Sequence, residues 1–78
     1  MEEEQAQEAG PLVDLQRFQG QVILVSVKDG RKFRGKLAQF DEHMNVILEA
    51  AEEIPKEGQP KQHKLIMLKG GNISEVSV

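Results

Sequence analysis

Apolar positions recur along the chain first at helical spacing and then at strand spacing. Leu12, Leu15 and Phe18 fall three apart after Pro11, a residue suited to a first helical turn, and Gly20 stops the run. This predicts a short helix over about 11–18 with one face to dock. From Gln21 the period becomes two. QVILVSVK is rich in β-branched residues and reads as a strand, with Ile23, Val25 and Val27 on one side and Val22, Leu24 and Ser26 on the other. Apolar residues on both sides predict cover on both. In RKFRGKLAQFD, Phe33, Gly35 and Leu37 alternate with Lys32, Arg34 and Lys36, giving one buried and one wet face.

The joints follow from turn chemistry. Asp29-Gly30 is a hairpin signal between the first two strands. Gly35, inside a strand, marks a bend or the close approach of another backbone. Phe40 falls out of step with Leu37, so a bulge is expected near Ala38-Gln39. NVILEAAEE is a third strand with Val46, Leu48 and Ala50 on one face. The segment EEIPKEGQPKQ is a solvated loop. HKLIMLK and NISEVSV are the fourth and fifth strands, joined by a tight turn at Gly70-Gly71. The expected fold is all-β after one short helix: five short, strongly bent antiparallel strands forming a small SH3-like or OB-type barrel. The fourth and fifth strands are short and apolar and belong at the open edges.

Composition narrows what such a domain can be. With 78 residues the chain is one domain, too small to bury a large core unaided, and it contains no Cys. Disulfides and thiolate metal sites are excluded, and two isolated His residues make no zinc site. Association is the remaining route to robustness. No apolar run approaches the roughly 20 residues that span a bilayer, and the acidic start is no secretory signal. A soluble cytoplasmic protein is expected. The net charge is −3, yet Glu2, Glu3, Glu4 and Glu8 all lie in MEEEQAQEAG, residues 1–10, expected to be a disordered acidic tail. A basic stripe from Lys28 to Lys36 stays within the folded part, 11–78, so the acidic total does not exclude a local nucleic-acid site. Glu52-Glu53 read as a surface pair, Met44 and Met67 as packing residues, and His63 carries no assigned role. No nucleophile and base, phosphate loop or metal cluster is present in the pattern, so neither an enzyme nor a cofactor is expected.

The stretch FDEHMNVILEA, residues 40–50, places a polar cluster between two strands. It reads either as a tight turn or as a small site. The surrounding residues decide the question by resemblance. GQVILVSVKDGRKFRGKLAQFDEHMNVILEAAEE resembles the first Sm motif of the Sm/LSm proteins, and IMLKGGNI resembles a looser second motif. The spacing of Gly35, Phe40-Asp41 and Met44-Asn45 is specific, and the likeness covers about 12–78. The resemblance implies the Sm fold, an archaeal-type Sm-like protein and a homomeric ring, usually of seven copies and sometimes six. In it the fourth strand of one subunit pairs with the fifth of the next. It further implies binding of single-stranded, uridine-rich RNA at the inner rim by Asp41, His43, Met44 and Asn45 from one loop and Lys69, Gly70, Gly71 and Asn72 from another.

The side-chain chemistry agrees. Splayed bases are read by stacking and by hydrogen bonds to their edges. His43 offers a flat ring, Asn45 a donor and an acceptor suited to a uracil edge, and Lys69 a charge for phosphate. Asp41 is suited to accepting backbone N–H groups and orienting Asn45 or His43. The second motif departs from the family pattern: Lys69 stands where Arg is usual, and Gly71 where Asp or Asn is frequent. Lys cannot stack as a guanidinium plane does, so weaker uridine selectivity is expected. Two alternatives remain open from sequence: a ring that binds protein partners and little RNA, and a monomeric SH3-like adaptor.

Overall fold

The computed structural model describes residues 14–78. The acidic segment 1–10 and the start of the expected helix lie outside them. Asp14 accepts the N–H of Gln16 at 3.1 Å and caps a single 3-10 turn, Leu15–Phe18. The described part of the expected helix is therefore one turn. The chain leaves it at Gln19, with φ −54° and ψ 126°, and reverses at Gly20, whose φ is +81°. The apolar face still docks: Leu15 is buried and Phe18 packs on the core.

Five antiparallel strands follow: β1 (Val22–Val27), β2 (Lys32–Phe40), β3 (Val46–Ile54), β4 (Lys61–Leu68) and β5 (Ile73–Ser77). They form one sheet in the order β4-β3-β2-β1-β5. The sheet does not close, so β4 and β5 are both edges, as their short apolar sequences imply. β3 and β4 extend further than their sequence suggests, and the loop between them shrinks to 55–60. On β1 the sides are unequal: Ile23, Val25 and Val27 are buried, Leu24 and Ser26 half-buried, and Val22 exposed. The Asp29-Gly30 hairpin is present, with Val27 and Arg31 paired around it and Gly30 at φ +101°.

The interior comprises Ile23 and Val25 of β1, Phe33 and Leu37 of β2, Val46 and Leu48 of β3, with Leu68 and Val76 from the two edges. Burying such side chains fully contributes about 1.5–3 kcal/mol each before entropy is charged against it. Two bulges between β2 and β3 bend the sheet around this core, and a third irregularity interrupts the pairing of β1 with β5 at Ser26 and Val27. The pairing steps from Leu37↔Leu48 to Gln39↔Ile47, leaving Ala38 as the extra residue in the place its sequence predicted. The second bulge is on β3. Between Arg34↔Glu52 and Lys36↔Glu49 that strand carries one residue more than β2. Ala50, expected inside, is instead exposed with φ +50°, and Ala51 is buried in its place. Gly35 sits opposite, where an added Cβ would lie 3.0 Å from the Cα of Ala51.

That bulge also moves Glu53 inward. It is 8% exposed rather than half of a surface pair. Its Oε2 accepts from Arg31 Nη1 at 3.0 Å, and its Oε1 is 2.9 Å from His63 Nε2. Met67 departs from expectation in the other direction, standing 59% exposed on β4.

Candidate nucleic-acid interface

The residues after β2 form a closed loop because Asp41 satisfies it from within. Its N–H donates to the carbonyl of Asn45 at 3.1 Å, and its own carbonyl accepts from Met44 N at 3.0 Å. Asp41 Oδ1 accepts the backbone N–H groups of His43 (2.9 Å) and Asn45 (3.1 Å). Its Oδ2 accepts from Asn45 Nδ2 at 3.0 Å. The Asn45 amide, followed by those two backbone N–H groups, holds the Asp41 carboxyl below the usual carboxylate range. Met44 completes the loop in the left-handed region at φ +68° and packs half-buried against the core.

The second loop follows β4. Lys69 is extended and exposed, Gly70–Asn72 form a 3-10 turn, and Asn72 N donates to Lys69 O at 2.9 Å. Asn72 O accepts from Lys28 N at 2.8 Å, which ties this turn to the end of β1. One side chain joins the two loops: Asn45 Oδ1 accepts the N–H of Gly70 at 2.8 Å. The contact requires glycine, since a Cβ at Gly70 would collide with the His43 carbonyl oxygen and lie 2.9 Å from Met44 Cβ. At Gly71 a Cβ would meet open space.

The eight residues singled out from sequence thus occupy two adjacent loops. Asp41, Asn45 and Gly70 form the junction, while His43 and Lys69 stand out from it. The His43 side chain is 75% exposed, with its Nε2 3.9 Å from Glu42 Oε2, so the ring is open to solvent. The amide orientation of Asn45 is set by its partners, because only its oxygen can face an N–H and only its NH₂ can face a carboxylate. One N–H and one lone pair remain to meet a ligand edge. Among the described residues no cluster of metal-ligating side chains occurs, and no helix is long and apolar enough to cross a membrane.

Sequence reasoning missed the cluster of Arg31, Glu53 and His63. Plain alternation from Val46 would have pointed Glu52 inward and Glu53 outward, and only the bulge at Ala50 reverses that. The Arg31 guanidinium also lies 5.3 Å from the Phe33 ring centroid and pairs with Asp29 at 2.9 Å.

A bent five-stranded sheet that stays open at two edges, with two loops stitched together at one end of its strands, defines a small all-β domain with edges suited to assembly. The LSM domain family matches residues 13–78, and the chain belongs to that family. It is 36% identical over 67 residues to an snRNP Sm-like protein of Thermococcus onnurineus, covering 86% of each chain. Its fold is similar to that of a heptameric archaeal Sm protein, with a TM-score of 0.73 and 36% identity over 81% of this chain and 91% of that one. It is also similar to the Pyrococcus abyssi Sm protein solved in complex with a uridine heptamer. That match has a TM-score of 0.75 and 35% identity, covering 81% and 89% of the two chains.

Proposed function

We propose that this chain assembles into a homomeric ring, of seven copies, that binds single-stranded uridine-rich RNA at its inner rim. It acts in the cytoplasm as an RNA chaperone or scaffold in RNA processing, a binding protein with no catalytic role. The observation that carries the reading is the Asn45–Gly70 bond. It brings a stacking ring, an oriented amide and a cation into two adjoining loops, the arrangement a splayed base needs. The heptameric relative and the uridine-bound relative support the assembly and the ligand.

Each residue then has a role. His43 stacks on the base, and Asn45 bonds the uracil edge with the groups left free. Lys69 faces phosphate, while Asp41 and Gly70 hold Asn45 in place. Met44, Gly71 and Asn72 shape the rim. The edges supply the assembly: Leu65 and Met67 on β4 are 62% and 59% exposed, and pairing β4 with β5 of a neighbour covers them and removes every free strand edge. Repetition around the ring multiplies one weak pocket into a multivalent site.

Binding of oligouridine and oligoadenine, measured for the native chain and for His43→Ala and Asn45→Ala, tests this. The native chain should prefer oligouridine, and each variant should lose roughly tenfold or more in affinity, about 1.4 kcal/mol per site. Equal and negligible affinity for both oligomers by an assembled ring would instead favour a ring that serves protein partners.

A further inference from the structure

A hollow of about 540 Å³ opens between the end of β1, the start of β2 and the end of β4. That volume falls within the roughly 300–1,000 Å³ of ligand sites. Buried Val27, Phe33 and Leu68 give it an apolar lining, and three cations, Lys28, Arg31 and Lys69, stand around it. Lys69 is also the cation of the proposed base site, so the hollow and that site share a wall. We propose that the hollow seats the backbone of the bound strand, with a phosphodiester group next to the base held by His43 and Asn45 lying among Lys69, Lys28 and Arg31. The inference rests on the RNA reading above and extends it from the base pocket to the path by which the strand leaves.

The fold places these cations before any ligand arrives. Lys28 N donates to Asn72 O at 2.8 Å, which fastens the β1–β2 turn to the loop that follows Lys69. Arg31 Nε and Nη2 lie 2.9 Å from Asp29 Oδ2, and Nη1 lies 3.0 Å from Glu53 Oε2. These contacts occupy three of the five guanidinium N–H groups and leave two for a further acceptor. The same guanidinium rests 5.3 Å from the Phe33 ring centroid. A side chain already held in place loses less entropy on binding. Lys28 and Lys69 are exposed and, among the described residues, form no ion pair.

The charges in and beside the hollow favour an anion. Asp29 is the one carboxylate in its lining, and Glu53 is the other carboxylate on Arg31. Lys56, whose side chain lies over Gly30, acts on Asp29 through space, and Lys61, opposite Glu53 on β4, acts on Glu53. Five cations thus stand against two carboxylates. A concavity with a surplus of one sign concentrates ligands of the other. The occupant is a strand because Lys69 already borders the base. Phosphates flank every base within a strand, so RNA seated by His43 and Asn45 brings one to this wall whichever way it runs.

Lys28→Gln tests the path, since it removes one charge at an exposed position and keeps the backbone bond to Asn72. Fluorescence anisotropy with labelled oligouridine over a salt series compares the full-length variant with the native chain. Binding should be several-fold weaker at low salt, and log K should fall less steeply with log salt by about 0.7 or more, the slope of one phosphate contact on a single strand. The preference for oligouridine over oligoadenine should be unchanged, because phosphate contacts position a strand and base contacts specify it. Lys28→Arg keeps the charge and should bind like the native chain. Lys32→Gln removes the same charge from the wet face of β2, away from the hollow, and should leave the slope unchanged. A native slope in Lys28→Gln, an equal loss in Lys32→Gln or an equal loss in Lys28→Arg overturns the strand path and leaves the base site intact. A native chain that binds neither oligomer overturns the RNA reading and the path with it.

Discussion

At the scale of single residues, the junction of the two loops depends on two positions, Gly70 and Asp41. Gly70 has no room for a side chain beside the His43 carbonyl, and Asp41 supplies three of the hydrogen bonds that close its loop. Gly70→Ala should therefore separate the loops. Its expected signature is a loss of oligouridine affinity of roughly tenfold or more, since the oriented amide of Asn45 is lost with the contact. Fluorescence anisotropy with labelled oligouridine reads it. Gly71 provides the opposite case. Its position is open, so Gly71→Asn should fold like the native chain and restore a polar group at the rim. The expected result is an unchanged thermal midpoint with a greater preference for oligouridine over oligoadenine. An unchanged preference would remove Gly71 from the site.

At the scale of elements, the β3 bulge decides more than any other local feature. Ala50 lies at φ +50°, a region that costs a residue with a Cβ about 1–2 kcal/mol, and its side chain is exposed. Ala50→Gly should be neutral or stabilising by up to about 1 kcal/mol in chemical denaturation, since the relief is partly offset by the entropy of glycine. Ala50→Val should destabilise by more than 1 kcal/mol (an approximate figure), because β-branched residues are outliers there. The same bulge creates the Glu53 cluster, which has its own pH dependence. The Glu53 carboxyl is held below its ordinary range by His63 first and Arg31 second. A depressed carboxyl contributes stability that is present above the unfolded value, near pH 4.3 (approximately), and is lost as pH falls through the folded value. Thermal midpoints should therefore drop in acid below about pH 4.3, and Glu53→Gln should flatten that drop while lowering stability near neutrality by about 1–3 kcal/mol.

At the scale of the whole molecule, the open sheet is unfinished. β4 and β5 leave a row of unpaired backbone groups on each side, and Leu65 and Met67 expose apolar surface on one of them. A small domain with no disulfide gains from covering both. Leu65→Glu combined with Met67→Lys should lower the solution mass from that of the proposed ring towards a single chain while the strand signal in circular dichroism persists. Multivalent RNA binding should fall with the mass. Variants that stay assembled would exclude this edge as the joint.

Period-two alternation determined β1, β2 and the bulge at Ala38, and turn chemistry determined the Asp29-Gly30 hairpin, because these depend on neighbours within a few residues. The short apolar strands marked the edges, and the motif spacing brought both loop clusters into view. Other features lay beyond local pattern. The expected helix was confined to a 3-10 turn, in the described residues, by the Asp14 cap and the reversal at Gly20. Ala50 and Glu53 changed sides because β3 carries one extra residue opposite Gly35. The partners of Arg31, Asn45 and His63 were decided only when distant segments met. Alternation specifies which side a residue faces until a bulge intervenes, and the sequence does not say which strand will carry the extra residue when a sheet must bend around its core.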